Sequence, residues 1–279
     1  MTLDAARLRS LLVAPAGPLT RLDVVAEVGS TNTAMADALR ADPLSWPDSS
    51  LLVAERQTAG RGRAGRSWVS PPGTSVTGTF VVRPQRSEGV TQWLPLLAGL
   101  GVVHALRATA GVPAHLKWPN DLVVDVGGDE LEGWGTWRKV GGILTELVPL
   151  GDGPAALVGV GVNVSQAADE LPVPSATSLA LAGARHADRE GVLVAVVSAL
   201  ADVVARFRAA DGDVVAAGLA DEVAAVCMTL GRDVAAELPG GRVMAGRAER
   251  LDGAGALVVR SADGGENAVL AGDVLLVRG

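Results

Sequence analysis

Three arginines and three glycines fall within the seven residues 60–66, between two segments with the composition of buried β-strands. Leu51–Glu55 leads into this run and Thr74–Val82 follows it, so the run is held at both ends, unlike a free tail. Glycine lets a backbone turn and approach a ligand closely, and the arginine guanidinium matches phosphate and carboxylate oxygens. The sequence therefore predicts a loop that closes around an anion. A solvated turn and a nucleic-acid-binding segment are the alternatives.

The composition is that of a chain with a large buried core. It has 279 residues, 48% of them hydrophobic and 20% charged, and its formal net charge is -7. This acidic balance argues against general attraction to nucleic acid or to an anionic membrane, and no segment approaches the roughly 18 uninterrupted apolar residues of a membrane span. The single cysteine, Cys227, cannot form an internal disulfide, so we expect a cytoplasmic protein. No metal site is expected from the three histidines, which lack its spacing and acidic neighbours: His104, His115 and His186.

Hydrophobic periodicity divides the chain into two parts. The first part mixes helices, expected over 3–13, 33–40, 92–108, 188–210 and 213–226, with strands, expected over 22–28, 51–55, 74–82, 115–118, 122–126, 139–148 and 155–164. After residue 228 the pattern changes to short strands separated by glycine-containing turns. These strands are expected at 233–238, 243–250, 256–261, 266–270 and 274–277. The second pattern is typical of a small antiparallel barrel or sandwich.

Four short clusters contain side chains suited to binding anions or polar groups. They are Ser30-Thr31-Asn32, Gln57 with the loop through Arg66, Lys117-Trp118-Pro119-Asn120-Asp121, and Arg138-Lys139-Val140-Gly141-Gly142. Each by itself has an ordinary structural interpretation, as a helix N-cap, a turn or a solvated lysine. In this order and spacing, and followed by Gly159-Val160-Gly161-Val162-Asn163-Val164, they resemble the biotin protein ligases.

The resemblance implies a fold and a reaction. The fold is α/β (α+β): a mixed, largely antiparallel sheet with packed helices, of the biotin/lipoate ligase and class II synthetase type. Residues 1–227 would form the domain that binds biotin and ATP, and residues 228–279 a small Src-homology-like β-barrel. In the implied reaction, biotin is activated as biotinyl-5′-AMP and then transferred to a lysine of a biotin carboxyl carrier domain of an acyl-CoA carboxylase. Biotin and ATP are substrates, Mg²⁺ is an activator, and no tightly bound prosthetic group is expected.

The family pattern also implies roles for individual residues. Biotin binding is expected from Ser30, Thr31, Asn32, Gln57, Gly60, Arg61, Gly62, Arg63, Lys139 and Gly142. Nucleotide binding is expected from Arg63, Asn120, Lys139 and Asn163, and catalytic roles from Arg63, Lys139, Asp121 and Lys117. Arg63 and Lys139 would balance charge at the carboxylate and the α-phosphate. Asp121 would orient or deprotonate the acceptor lysine, and Asn163 would face the adenine.

Some family members carry an N-terminal winged helix-turn-helix and repress transcription. Only 29 residues precede Ser30 here, too few for that domain, so we expect a ligase without repressor function, acting as a monomer or weak homodimer. The extension 127–137 has no assigned function, and a place at the rim of the acceptor-protein surface is one hypothesis for it. A lipoate or related acyl-carboxylate ligase is the nearest alternative, although Gln57 and the Arg-Gly-Arg spacing favour biotin. A nucleic-acid-binding protein is the alternative from another class.

Overall fold

The computed structural model describes residues 2–84, 90–151, 153–238, 243–270 and 272–277. Its helices are α1 (Ala5–Leu12), α2 (Thr31–Ala41), α3 (Val90–Thr109), α4 (Arg189–Ala209) and α5 (Leu219–Val226). Its strands are β1 (Arg21–Val28), β2 (Ser50–Gln57), β3 (Ser75–Val82), β4 (Ala114–Lys117), β5 (Asp121–Asp125), β6 (Trp137–Val148), β7 (Ala155–Asn163), β8 (Asp233–Glu237), β9 (Val243–Leu251), β10 (Leu257–Arg260), β11 (Glu266–Val269) and β12 (Asp273–Leu276). Within the described residues, no helix combines the length and apolarity needed to cross a bilayer.

Seven strands form the main sheet in the order β1-β2-β3-β7-β6-β5-β4. Only β1 and β2 run parallel, and every other neighbouring pair is antiparallel. The expected mixed, largely antiparallel sheet is therefore confirmed. Because successive side chains of a strand point to opposite faces, each strand supplies residues to two different layers.

The two faces of this sheet carry different helices. Leu51 and Val53 of β2 belong to the main core, which also contains apolar side chains of α3 and α4. Leu52, between them, belongs to a separate cluster with Met35 and Leu39 of α2. Helix α2 therefore packs on the face opposite to α3 and α4, and we call this the α2 face.

The α2 face continues onto the central strands. Val148 of β6 and Leu157 of β7 join the α2 cluster. By the alternation of side chains, residues 142, 144 and 146 of β6 and residues 159, 161 and 163 of β7 lie on the same face. Gly142 of the β6 motif and Gly159, Gly161 and Asn163 of the β7 motif are thus directed to the α2 face, whereas Val140, Val160 and Val162 belong to the main core.

Helix α2 begins two residues earlier than the sequence pattern predicts. Ser30 is extended, with φ at -148°, and its hydroxyl accepts a hydrogen bond from the Thr33 amide, which makes it the N-cap. Thr31 and Asn32 consequently lie in the first helical turn and are buried. The expected N-capping role of the Ser-Thr pair is confirmed for Ser30.

The last expected helix is shorter than predicted. Helix α5 covers Leu219–Val226, whereas the pattern predicted a helix from residue 213. The Asp213 carboxylate accepts hydrogen bonds from the amides of Val215 and Ala216, and Gly218 has a φ of 70°. This turn ends before the helix begins, because a left-handed residue cannot lie inside a right-handed helix.

The residues ahead of Ser30 are part of the main fold. They contain α1 and β1, and Leu8 and Leu12 of α1 are buried in the main core. The Asp4 carboxylate caps α1 by accepting from the amides of Ala6 and Arg7. Over residues 2–29, the structure therefore contains a helix and an edge strand that belong to the main sheet and its core.

The C-terminal strands form a second, antiparallel sheet in the order β11-β10-β9-β8-β12. The expected five strands are confirmed, but closure into a barrel requires a β11–β12 pair, which is not among the pairings of the described residues. This sheet packs closely on the rest of the protein. Trp93 Nε1 and Trp118 Nε1 donate to the carbonyl oxygens of Gly253 and Gly255 at 2.9 and 3.1 Å. The main hydrophobic core contains residues from both sides of the predicted boundary between residues 227 and 228. A domain boundary at this position stays a prediction.

Candidate active-site cleft

A cleft of about 720 Å³ opens on the α2 face of the main sheet. The first turn of α2, strands β6 and β7 and the loop 60–69 form its walls, with residues 172–176 at one side. Glycine is needed on β7 because its neighbours approach closely. A Cβ on Gly159 would lie 2.5 Å from Asn32 Oδ1, and one on Gly161 would lie 2.6 Å from Trp68 Cε2. The two glycines of β7 therefore let Asn32 and Trp68 pack directly against this strand.

Twelve of the fourteen predicted site residues line this cleft. They are Ser30, Thr31, Asn32, Gln57, Arg61, Gly62, Arg63, Asn120, Asp121, Lys139, Gly142 and Asn163. Gly60 is not in the lining: its carbonyl accepts from the Trp68 amide at 2.8 Å, and a Cβ there would lie 2.4 Å from the Trp68 carbonyl oxygen. Gly60 thus closes the base of the loop. Lys117 is the other residue outside the lining.

One end of the cleft is a hydrogen-bonded group of uncharged side chains. Gln57 Oε1 accepts from the Thr31 amide at 2.8 Å and from the Thr31 hydroxyl at 3.1 Å. Thr79 Oγ1 lies 2.8 Å from Thr31 Oγ1 and 2.6 Å from Asn32 Oδ1. These contacts fix Gln57 with its oxygen turned to Thr31, so its amide N–H groups are directed elsewhere. The arrangement offers fixed donors to a neutral polar ligand group.

The Arg/Gly loop, residues 60–66, folds over the cleft and does not extend into solvent. Ala64 and Gly65 have φ values of 53° and 74°, which turn the backbone back on itself, and the Gly62 amide donates to the Arg66 carbonyl at 2.6 Å. Arg63 Nη1 donates to Asn120 Oδ1 at 3.1 Å. The anion-loop interpretation of this run is consistent with this closed geometry.

The three arginines of the loop have partners on different walls. Arg61 Nη2 lies 3.1 Å from Glu146 Oε1 of β6, and Arg66 Nη2 lies 2.6 Å from Asp273 Oδ1 of β12. Burial lowers the pKa of the Arg63 guanidinium, while the carboxylates of Asp273 and Asp121 act in the opposite direction. Of the three loop arginines, Arg63 is the one whose guanidinium donates to an amide oxygen inside the cleft.

Lys139 and Asp121 form an ion pair at the other end of the cleft. Lys139 Nζ donates to Asp121 Oδ1 at 2.5 Å, and the two side chains are 28% and 16% exposed. Strand pairing explains their proximity, because β5 and β6 are antiparallel neighbours and Asp121 lies opposite Gly142. The neighbouring Asn120 is fixed by donating from Nδ2 to the Ile143 carbonyl at 2.8 Å.

Lys117 lies behind this pair, in the interior of the protein. Its ammonium donates to the Val274 carbonyl at 2.5 Å and lies 4.7 Å from the centroid of the Trp134 ring. Burial lowers the pKa of the Lys117 ammonium, and the charge of Asp121 partly opposes this effect. The contacts connect Lys117 to the C-terminal sheet and to the extension 127–137, so its predicted catalytic role remains a prediction.

Asn163 lies in the cleft wall but its side chain is already engaged. Asn163 Nδ2 donates to the Thr177 carbonyl at 2.9 Å, and its Oδ1 accepts from Gln166 Nε2 at 3.0 Å. Both contacts hold the segment that follows β7 against the strand. Asn163 therefore has a structural role in holding this segment, and its role toward adenine stays a prediction.

Several residues of the site were not predicted. Thr79 and Glu146 lie on strands whose alternation places them on the α2 face, and that period could have indicated them. Trp134 and Asp273 reach the site from distant parts of the chain, and no local pattern points to either. Trp68, which follows the Arg/Gly loop, also lines the cleft.

Comparison with known proteins agrees with this geometry. The model of the Biotin/lipoate A/B protein ligase family matches residues 24–163, and that of the Biotin protein ligase C terminal domain matches residues 229–277. The chain belongs to the biotin protein ligase family. The resemblance of the sequence motifs to this family is thereby confirmed.

Individual members of the biotin protein ligase family extend the comparison over the whole chain. Over an alignment of 285 positions, the chain is 36% identical to a biotin--[acetyl-CoA-carboxylase] ligase of Mycobacterium tuberculosis, covering 99% of this chain and 96% of the relative. The biotin protein ligase from Aquifex aeolicus in complex with biotin and ATP superimposes with a TM-score of 0.72 at 28% identity, covering 94% and 100% of the two chains. The biotin protein ligase from Leishmania major in complex with biotinyl-5-AMP superimposes with a TM-score of 0.55 at 25% identity, covering 89% of this chain and 97% of that chain.

Proposed function

We propose that this chain activates biotin with ATP as biotinyl-5′-AMP and transfers the biotinyl group to a lysine of a biotin carboxyl carrier domain. The observation that carries the proposal is the convergence of two kinds of group in one cleft. Thr31 and Gln57 bring uncharged hydrogen-bonding groups to the lining, and Arg63 and Lys139 bring cationic groups to it. Biotin has the same polarity, with a neutral ureido ring at one end and a carboxylate at the other.

In the first step, a biotin carboxylate oxygen attacks the α-phosphorus of ATP. The new C–O–P linkage forms as the α–β phosphoanhydride bond breaks, and pyrophosphate leaves with the electron pair. No protein nucleophile is required, because the substrate supplies its own. Lys139 and Arg63 stabilise the negative charge on the carboxylate and the α-phosphate, and the walls hold the reacting atoms together. Positioning and charge stabilisation of this kind supply on the order of 10 kcal/mol.

In the second step, the lysine ε-amine of the carrier attacks the acyl carbon of the adenylate. The C–O bond to AMP breaks, AMP leaves with the electron pair, and the nitrogen loses a proton to give the amide. The amine must first lose its ammonium proton, since its ordinary pKa is about 10.4. We assign the orientation and deprotonation of this amine to Asp121, whose carboxylate is held in place by Lys139.

Mg²⁺ is proposed as an activator that arrives with ATP. Among the described residues, no group of three or more His, Cys, Asp or Glu side chains could hold a metal ion. At nucleotides this ion usually needs only one or two protein carboxylates beside phosphate oxygens and water, so the proposed role does not require such a group. Bound there, it would neutralise charge on the leaving pyrophosphate.

The nucleic-acid alternative is disfavoured by the pairing of the loop arginines. Arg61 and Arg66 face carboxylates, and Arg63 is directed to Asn120 inside the cleft. Together with the net charge of -7, this leaves no free basic patch on the loop. We propose a cytoplasmic enzyme that acts as a monomer or weak homodimer.

The test is incubation with biotin, MgATP and a purified carrier domain, read by mass spectrometry. We expect one biotinyl adduct on the carrier, absent when its target lysine is replaced by arginine. The enzyme itself offers few competing amines, because Lys117 and Lys139 are its only lysines. ATP–pyrophosphate exchange with biotin and with lipoate distinguishes the nearest alternative: exchange with lipoate alone would overturn the substrate assignment, and no biotin-dependent exchange would overturn the activity.

A further inference from the structure

Glu146 of β6 places a carboxylate against Asn32, in the first turn of α2, and against Arg61, and none of the roles proposed above uses it. Its two oxygens contact different walls of the cleft. Glu146 Oε1 lies 3.1 Å from Arg61 Nη2 of the Arg/Gly loop, and Glu146 Oε2 accepts from Asn32 Nδ2 at 2.8 Å. One side chain of β6 thus joins the Arg/Gly loop to the first turn of α2.

The Asn32 contact shows that this arrangement is built into the wall. Asn32 Nδ2 also donates to the Leu144 carbonyl at 3.1 Å, so both of its N–H groups are used, and its Oδ1 lies 2.6 Å from the Thr79 hydroxyl. With its amide fully engaged, Asn32 supports the wall and offers no free donor to a ligand. Gly159 is required beside it, because any Cβ there would collide with Asn32 Oδ1.

The Arg61 contact has a consequence for the loop. Arg61 also lies 3.4 Å from the Thr33 hydroxyl, which brings its guanidinium onto the same turn of α2. Its charge is balanced by Glu146, whereas Arg63 faces the neutral Asn120. The two arginines of the Arg-Gly-Arg segment therefore differ in their direct contacts: Arg61 reaches a carboxylate of β6, and Arg63 reaches an amide oxygen inside the cleft.

We infer that Glu146 is a positioning residue that anchors the first half of the Arg/Gly loop, through Arg61, to the wall carrying Thr31 and Gln57. The inference rests on the proposed function for its effect on biotin, whereas the anchoring contact lies within the chain and is tested without any ligand. With the anchor in place, the loop is held near its closed position before biotin enters. Without the anchor the loop is less ordered, and part of the binding free energy of biotin is then used to order it.

The first experiment needs no activity and compares Glu146→Gln with wild type by hydrogen exchange of amides 60–66 in the free protein. Glutamine keeps an oxygen for Asn32 but removes the charge that faces Arg61. The matched control is Glu27→Gln, which breaks the exposed pair of Glu27 and Arg56 at 2.9 Å between β1 and β2. We expect faster exchange of the loop only in Glu146→Gln. Equal exchange in all three proteins would overturn the anchor.

The second experiment measures biotin-dependent ATP–pyrophosphate exchange. Glu146→Gln should raise the KM for biotin about threefold to fivefold, the upper range for a partly exposed ion pair, with kcat and the KM for ATP unchanged. In a double-mutant cycle, Arg61→Gln with Glu146→Gln should be no worse than Arg61→Gln alone. Additive effects, or a fall in kcat with no change in KM, would overturn the inference. A wild type without exchange would refute the proposed function, while the hydrogen-exchange result would still decide the anchor.

Discussion

Arg66 and Asp273 are 207 positions apart in the sequence and form an ion pair of 2.6 Å between the Arg/Gly loop and the first residue of β12. The C-terminal sheet therefore touches the loop that covers the cleft. Lys117 makes a second connection, because its ammonium donates to the carbonyl of Val274, the next residue of β12. Contacts of this kind make the position of β12 part of the geometry of the site.

Breaking the pair should loosen the loop at its second half. We expect Asp273→Asn to increase the release of free biotinyl-5′-AMP about twofold to fivefold, because both side chains are half exposed and such pairs are weak. Release is measured over time by chromatography. The control is Asp233→Asn, which removes a carboxylate that faces Arg247 within the same sheet, away from the loop. Equal release from both variants would show that the contact has no effect on the loop.

Arg63→Ala should weaken retention of the adenylate more than folding. A charged hydrogen bond to phosphate is worth enough for about a tenfold to hundredfold faster release, whereas loss of a loop side chain should change the unfolding free energy by less than ~1 kcal/mol. Adenylate release and urea unfolding test the two parts. Arg56→Ala, on β2 outside the cleft, serves as control. Retention equal to wild type would contradict the assignment of Arg63 to the phosphate.

Lys139→Gln should suppress formation of the adenylate itself. Removal of one preorganised charge at the reacting carboxylate and phosphate is expected to lower pyrophosphate exchange about 100-fold. Lys139→Arg keeps the charge near Asp121 and should retain more activity than the glutamine variant. Thermal unfolding of both variants checks the fold. Exchange at the wild-type rate in Lys139→Gln would refute the proposed charge contact.

Lys117 should give the protein a stability that rises at alkaline pH. Burial lowers the pKa of its ammonium below the ordinary value of 10.5. Between the lowered folded-state pKa and 10.5, the unfolded chain binds more protons at this group than the folded protein does, so the unfolding free energy increases with pH. The chain has no tyrosine, so no phenol titrates in this alkaline pH range.

The measurement compares wild type with Lys117→Met in urea at neutral pH and near pH 10. Methionine keeps much of the volume and removes the titrating group. The unfolding free energy of wild type should increase relative to that of the variant as the pH rises, while titration of Cys227 cancels in the comparison. If the difference in unfolding free energy between wild type and variant stayed constant or fell as the pH rises, it would contradict a lowered pKa of the buried Lys117 ammonium.

Most of the fold could be predicted from local patterns. The short apolar runs of β2, β3 and β7 and the long apolar segments of α3 and α4 indicate their elements directly, because run length and composition are local properties. The start of α2 was misplaced by two residues, since the N-cap depends on the extended conformation of Ser30. The start of α5 was misplaced because Gly218 adopts a positive φ that periodicity does not reveal.

By itself, the sequence determined which groups the site would contain: the Arg/Gly loop between two strands, the Gly159 and Gly161 wall, and the ordered motifs at Ser30, Lys117 and Lys139. Only the tertiary structure decided how these groups are used. It directed Lys117 away from the cleft to β12, and it gave Arg61 and Arg66 the carboxylates of Glu146 and Asp273. The physical reason is that an ion pair depends on distance in space, and strand pairing brings together residues that no local pattern connects.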